Sequence, residues 1–155
     1  MAASYDIAYP PEIPLIPNLD QFLQAYLNAA DTPTEPERYA REFFTENAVM
    51  AFGPSKVPGQ EGNGTNSPFP RRLAPIRSYK IGETTLWKDV KSSRHEYHKV
   101  FPFGPYSKEM MVIGSVKAQM KDGETTREMD FAGHIQLAEV DGKLRMENYK
   151  TWIVT

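Results

Sequence analysis

The chain has 155 residues, 40% hydrophobic and 25% charged, enough for one domain with its own core. A net charge of −2 with no basic stripe leaves no electrostatic footprint for nucleic acid, and the absence of cysteine excludes disulfides, thiolate nucleophiles and cysteine metal sites. No apolar run reaches membrane-spanning length, and the start of the chain lacks the basic flank and apolar core of a signal peptide, so the expected location is the cytosol.

Residues 1–17 contain Pro10, Pro11, Pro14 and Pro17 and cannot form a helix interior. They read as an extended arm, with Ile13, Leu15 and Ile16 available to pack on the domain of residues 18–155. The stretch NLDQFLQAYLNAAD begins with Asn18 as a helix-cap candidate. Leu19, Phe22, Leu23, Tyr26, Leu27 and Ala30 then recur at helical spacing. Asp31 closes this helix, where a cap or turn role suffices. A second helix is predicted over TPTEPERYAREFF, with Pro36 in its first turn and Tyr39, Phe43 and Ala40 on its apolar face. AVMAF reads as a short strand ended by Gly53-Pro54. Residues 53–70, with four prolines and four glycines, read as a loop. Its Asn63-Gly64-Thr65 fits a glycosylation sequon that has no meaning without secretion.

The run LAPIRSYKIGETTLWKD admits a helix opened by Pro75, although Gly82 and the two threonines weaken it. Strands follow in RHEYHKVF, KEMMVIGSVKAQMK, TREMDFAGHIQLAEV and KLRMENYKTWIVT. Asp122-Gly123 and Asp141-Gly142 lie between successive runs as hairpin signals. Helices followed by a meander predict an α+β fold, with helices on one face of a mostly antiparallel sheet.

His95 and His98 are three apart, so on a strand they point to opposite faces and do not form a two-histidine metal site. His95 shares a face with Tyr97 and Phe101, taken as the pocket side, and His98 goes with Arg94 and Glu96 to the outside. In a pocket a neutral imidazole moves protons near neutral pH; the alternative is a core histidine bonded to a neighbour. Asp130, between Met129 and Phe131, is either a desolvated acid or base or, by strand parity, an exterior carboxylate. In the second case Met129 and Phe131 line the pocket. Tyr106 and Glu109 stand where a loop enters a strand, as pocket-mouth candidates or plain surface. Glu61 is a weaker candidate. Tyr26, Trp87, Tyr149 and Trp152 suit a core as well as a ligand platform. No phosphate-binding glycine loop, nucleophile elbow or serine triad is present.

The succession NLDQFLQAYLNAADTPTEPERYAREFFTENAVMAFGPSKVPGQEG, LWKDVKSSRHEYHKVFPFG, MDFAGHIQL and GKLRMENYKTWIV resembles, in order and over most of the chain, the SnoaL-like branch of the NTF2-like superfamily found in fungal biosynthetic enzymes. The resemblance implies a cone in which helices and a curved sheet enclose one pocket. It implies catalysis without a cofactor, by acid, base and hydrogen-bonding side chains that isomerise, cyclise or rearrange polycyclic polyketides, meroterpenoids or indole alkaloids. It gives Arg38 a role as an oxyanion holder, His95 and Asp130 roles in proton transfer, and Tyr26, Tyr97, Tyr106, Glu109, Met129 and Phe131 roles in binding substrate. Without the resemblance, Arg38 reads as a surface arginine or a partner of Asp31 or Glu35. Scytalone dehydratase, similar in fold, places a catalytic aspartate near Asp31 and a histidine near His95. This chain departs from it in having Ala30 where that enzyme has a tyrosine, and in lacking its second strand histidine. The expected partners are a small apolar polycyclic substrate and a second copy in a homodimer, with no nucleic acid and no membrane. A non-catalytic binding module and a dimerising interaction module are the rival readings.

Overall fold

A computed structural model describes residues 4–32, 36–54, 74–75 and 89–154. Among the described residues two helices, α1 (Leu19–Ala30) and α2 (Pro36–Phe43), precede six strands: β1 (Phe44–Pro54), β2 (Ala74–Pro75), β3 (Val90–Pro102), β4 (Glu109–Met120), β5 (Thr126–Val140) and β6 (Lys143–Val154). They form one sheet in the order β2-β1-β6-β5-β4-β3. All neighbours are antiparallel except β1 and β6, which run parallel. Among the described residues no helix is long and apolar enough to cross a membrane.

The amphipathic spacing of α1 buries Leu19, Leu23, Tyr26 and Leu27. Asn18 does cap this helix, but through backbone shape: it takes a left-handed φ of 65°, which asparagine tolerates, and its side chain makes no cap bond. Helix α2 turns Tyr39 and Phe43 inward and runs directly into β1, which is longer than AVMAF alone suggests. Pro75 does not open a helix: Ala74 and Pro75 pair with Met50 and Val49 as an edge strand, a place where a missing N–H is tolerated. Residues 73 and 76–88 of that run, Trp87 included, and the loop segment 55–70 with Glu61 lie outside the described residues.

The meander follows its turn chemistry. Asp141 and Gly142, at φ 52° and 72°, form the two-residue link between Val140 and Lys143, with both turn residues in the left-handed region. At the other hairpin the Asp122 carboxylate accepts hydrogen bonds from the backbone N–H groups of Glu124 and Thr125 and from the Thr125 hydroxyl. The bonds from Thr125 hold its pKa below the usual carboxylate value.

One irregularity redirects the first strand of the meander. Tyr97 pairs with Gly114 and Lys99 with Ile113, so His98 is an extra residue in β3. Before this bulge, alternation turns Tyr97 inward. After it, Val100 and Pro102 are buried and Phe101 is exposed. The expectation that His95, Tyr97 and Phe101 share the inner face therefore holds for the first two and fails for Phe101, because the bulge reverses the parity between them. Gly114 is what allows the close approach: a Cβ there would run into the Glu96 carbonyl oxygen, and the Phe131 ring lies over the space.

The inner face meets the helices through rings. Tyr26 of α1 packs against Tyr39, Phe43, Phe44, Tyr97 and Tyr149, with centroid separations of 5.7–6.5 Å. Met110, Val112, Ile135, Leu137 and Met146 complete the core. At Gly133 an added Cβ would lie 2.9 Å from both Tyr149 Cε2 and Val112 Cγ2. Gly133→Ala is expected to destabilise the fold by roughly 1–3 kcal/mol through overpacking, read as a lower urea midpoint with an unchanged m-value.

Candidate functional site

Asp31 follows the last residue of α1, and its backbone N–H closes the helix on Leu27 O. A carboxylate at this end faces the negative pole of the helix, and the last turn holds no basic residue to offset it. The compensation comes from outside the helix. The backbone N–H of His95 donates to both carboxylate oxygens at 2.9 Å. The Ser93 hydroxyl donates to Oδ1 at 3.2 Å, and the Tyr5 hydroxyl to Oδ2 at 2.8 Å. His95 Nδ1 stands 2.6 Å from Oδ1. The Asp31 side chain is only 10% exposed, whereas the His95 ring is 33% exposed.

This arrangement fixes the chemistry of the ring. Asp31 is surrounded by donors and acts as acceptor, so Nδ1 faces it with its proton, and in the neutral ring the lone pair is then on Nε2. Among the described residues no hydrogen bond engages Nε2. A carboxylate behind Nδ1 and an Nε2 with no hydrogen bond among the described residues are the geometry that general-base chemistry uses.

Tyr97, two residues along the same face of β3, lies about 7 Å further from this dyad by strand rise. Its hydroxyl donates to that of Tyr149 at 2.9 Å in a buried pair. Burial pushes the Tyr149 phenol up, and the bond from Tyr97 partly opposes this. Phe131 stands edge-on to Tyr97, with centroids 6.0 Å apart. The dyad thus lies on the same face of β3 as a core of packed rings.

The structure distributes the remaining sequence candidates as follows. Tyr26, Tyr97 and Phe131 are buried on the inner face, and Met129 is half-buried near its end. Arg38 is exposed, its side chain 76% accessible, and faces Glu42 at 3.9 Å on the same helix. Asp130 is exposed on the outer face, in register with Ser115 and Val154. Tyr106 is exposed, with a left-handed φ of 55° and its N–H bonded to Pro14 O. Glu109 also lies on the outer face, where its carboxylate meets His134 Nε2 at 2.7 Å. Gln136 and Asn148 extend that chain of hydrogen bonds. His98 projects outward to Ser115 Oγ at 3.0 Å.

Asp31 was legible only through the likeness to scytalone dehydratase, because its position at a helix end equally suits a cap. Tyr5 and Ser93 carried no signal: their common partner lies 26 and 62 residues away.

With the geometry described, comparison with known proteins defines the fold. No protein-family model matches the chain, and no curated protein does. Solved structures do match. A candidate scytalone dehydratase from Novosphingobium aromaticivorans aligns over 88% of this chain and 82% of its own, with TM-score 0.65 and 12% identity. AusH from Aspergillus nidulans aligns over 87% and 80%, with TM-score 0.60 and 12% identity. An NTF2-like protein of unknown function from an Exiguobacterium species aligns over 86% and 98%, with TM-score 0.56 and 15% identity. The chain has the NTF2-like α+β fold.

Removing the Asp31 carboxylate strands the His95 N–H and the Tyr5 hydroxyl in a part-buried position. Asp31→Ala is expected to cost about 2–4 kcal/mol of stability, measured by urea unfolding, and Asp31→Asn less, since the amide oxygen still accepts.

Proposed function

We propose that this NTF2-like chain is a SnoaL-like isomerase or cyclase that needs no cofactor and acts by acid/base catalysis on a polycyclic, mainly apolar natural-product intermediate. The observation that carries the reading is the Asp31–His95 pair, 2.6 Å apart, with the His95 ring one-third exposed and no hydrogen bond at Nε2 among the described residues. The folds of AusH and of the candidate scytalone dehydratase add support.

In the proposed reaction the neutral His95 accepts a proton from the substrate at Nε2, and Asp31 stabilises the resulting imidazolium through Nδ1–H. The same proton is returned to a different atom of the substrate, so the net change is isomerisation. Where a hydroxyl receives it, water leaves and a double bond or ring forms. The rings of Tyr26, Tyr97 and Phe131, packed on one another, are the apolar wall this reading assigns to the substrate, keeping bulk water from the charged intermediate. Arg38 and Asp130 have no part in this reading, because one is solvated on its helix and the other is on the opposite side of the sheet. Fungal secondary metabolism, with semipinacol-type shifts of indole alkaloids or ring isomerisation of polyketides and meroterpenoids, is the setting to test first.

The test is product analysis against a panel of such compounds with wild type, His95→Ala and Asp31→Asn. Turnover is expected to fall about 10²–10⁴-fold in His95→Ala while the circular dichroism spectrum is kept. Full turnover in that variant would remove the dyad from catalysis.

A second reading, the dimerising module, rests on the outer sheet face. Phe101, Ile113, Trp152 and Val154 are exposed there, with Phe103 beside them. The register places Lys99, Lys117 and Lys150 among Glu96, Glu109, Glu128 and Asp130 on the same side. A surface with both signs around an apolar centre matches itself across a two-fold axis, so its proposed occupant is a second copy of the chain. Sedimentation is expected to show a dimer for wild type and a monomer for Trp152→Glu. A wild-type monomer would refute this assignment and leave the catalytic reading untouched.

A further inference from the structure

The proline-rich arm reaches the dyad, and the contacts it makes there are specific. Tyr5 is buried, although it lies near the start of a segment that is otherwise largely half-exposed or exposed. Gln24 of α1 holds its backbone from one side, accepting from Tyr5 N at 2.9 Å and donating to Tyr5 O at 2.6 Å. The Arg94 guanidinium sits 3.9 Å above the ring centroid and donates to Ser4 O at 3.1 Å. Further along, Ala8 bridges to Lys99 in parallel fashion. Its N–H bonds to the carbonyl of the bulge residue His98, and its carbonyl accepts from Val100 N. The hydroxyl at the end of this clamped ring is donated to Asp31 Oδ2.

We infer that Tyr5 is a positioning residue of the site: by holding Oδ2, it keeps Oδ1 aimed at His95 Nδ1 and so sets which ring nitrogen is left to work. The inference rests on the Asp31–His95 reading proposed above. Without the Tyr5 hydroxyl the carboxylate keeps its bonds to the His95 N–H and to Ser93, both from β3, and Oδ2 loses the donor that reaches it from the arm. The imidazole then samples orientations and tautomers in which Nε2 is no longer the free base. Burial and the bond to Asp31 both push the Tyr5 phenol pKa upward, so the hydroxyl remains a donor throughout the neutral range.

The test compares wild type with Tyr5→Phe, which keeps the ring under Arg94 and removes only the hydroxyl. Tyr9→Phe is the control, because Tyr9 is the arm's other bonded tyrosine and its hydroxyl goes to Asp20. Nitrogen-15 NMR of the histidine side chains reads the His95 tautomer and the low-field Nδ1 proton without any substrate. Wild type and Tyr9→Phe are expected to show one Nδ1–H tautomer with a protected proton. Tyr5→Phe is expected to lose that protection and show mixed tautomers, with the fold intact by circular dichroism. Gln24→Ala releases the arm without changing any dyad residue and is expected to shift the same signals in the same direction, so the inference stays testable if Tyr5→Phe unfolds. An unchanged His95 signature in both variants overturns the inference, whatever their thermal stability. Once a substrate is in hand, Tyr5→Phe is expected to lower kcat about tenfold with little change in KM, the rate equivalent of one charge-assisted hydrogen bond. If the NMR signature moves and no compound in the panel turns over, the positioning role stands and the catalytic reading is what fails.

Discussion

The Asp31 carboxylate is the point on which this structure turns. It sits at the end of a helix that repels it, and it is held there by donors from the N-terminal arm and from two positions on β3. One small anion therefore joins the arm, α1 and the strand at the sheet edge. The same bonds that secure the fold also orient the His95 ring, so stability and chemistry share these contacts. Locally the placement is unfavourable; globally it is satisfied on both oxygens. Conflict of that kind between local preference and tertiary context is expected at functional positions.

The sheet divides the polar chemistry between its two faces. Toward the helices it presents the dyad beside the Tyr97–Tyr149 pair and a group of packed rings. On the far side it presents a second histidine–carboxylate pair, His134 and Glu109, within a hydrogen-bonded row and close to exposed apolar side chains. The pairs are alike in distance but differ in setting. Asp31 takes donors from backbone, serine and tyrosine and lies nearly buried, whereas Glu109 is almost half exposed. Distance alone does not separate the two pairs; the donors around the carboxylate do. The NTF2-like fold hosts many chemistries, so the proposed reaction rests chiefly on these side chains.

The bulge at His98 links edge and site. It turns the last part of β3 over, offers a carbonyl to the arm at Ala8 and shifts the inward alternation from Tyr97 to Val100 and Pro102. The arm thus meets the edge strand at the bulge through Ala8, while Gln24 and Arg94 seat Tyr5 beside the dyad.

Short-range patterning in the sequence determined most of the architecture. The 3.6-residue spacing of Leu19, Leu23, Tyr26 and Leu27 specified α1, and Asp141-Gly142 specified a tight hairpin, because backbone preference and amphipathicity act over a few residues. Parity correctly separated His95 from His98 for the same reason. It failed at Phe101, because a bulge inserts one residue without any local composition that announces it. Asp31 and His95 are 64 residues apart, and Tyr5 precedes Asp31 by 26. Nothing in either neighbourhood specifies the other. Only the packing of α1 and the arm against β3 brings these groups together, and that packing decided which of the chain's many carboxylates stands behind the histidine.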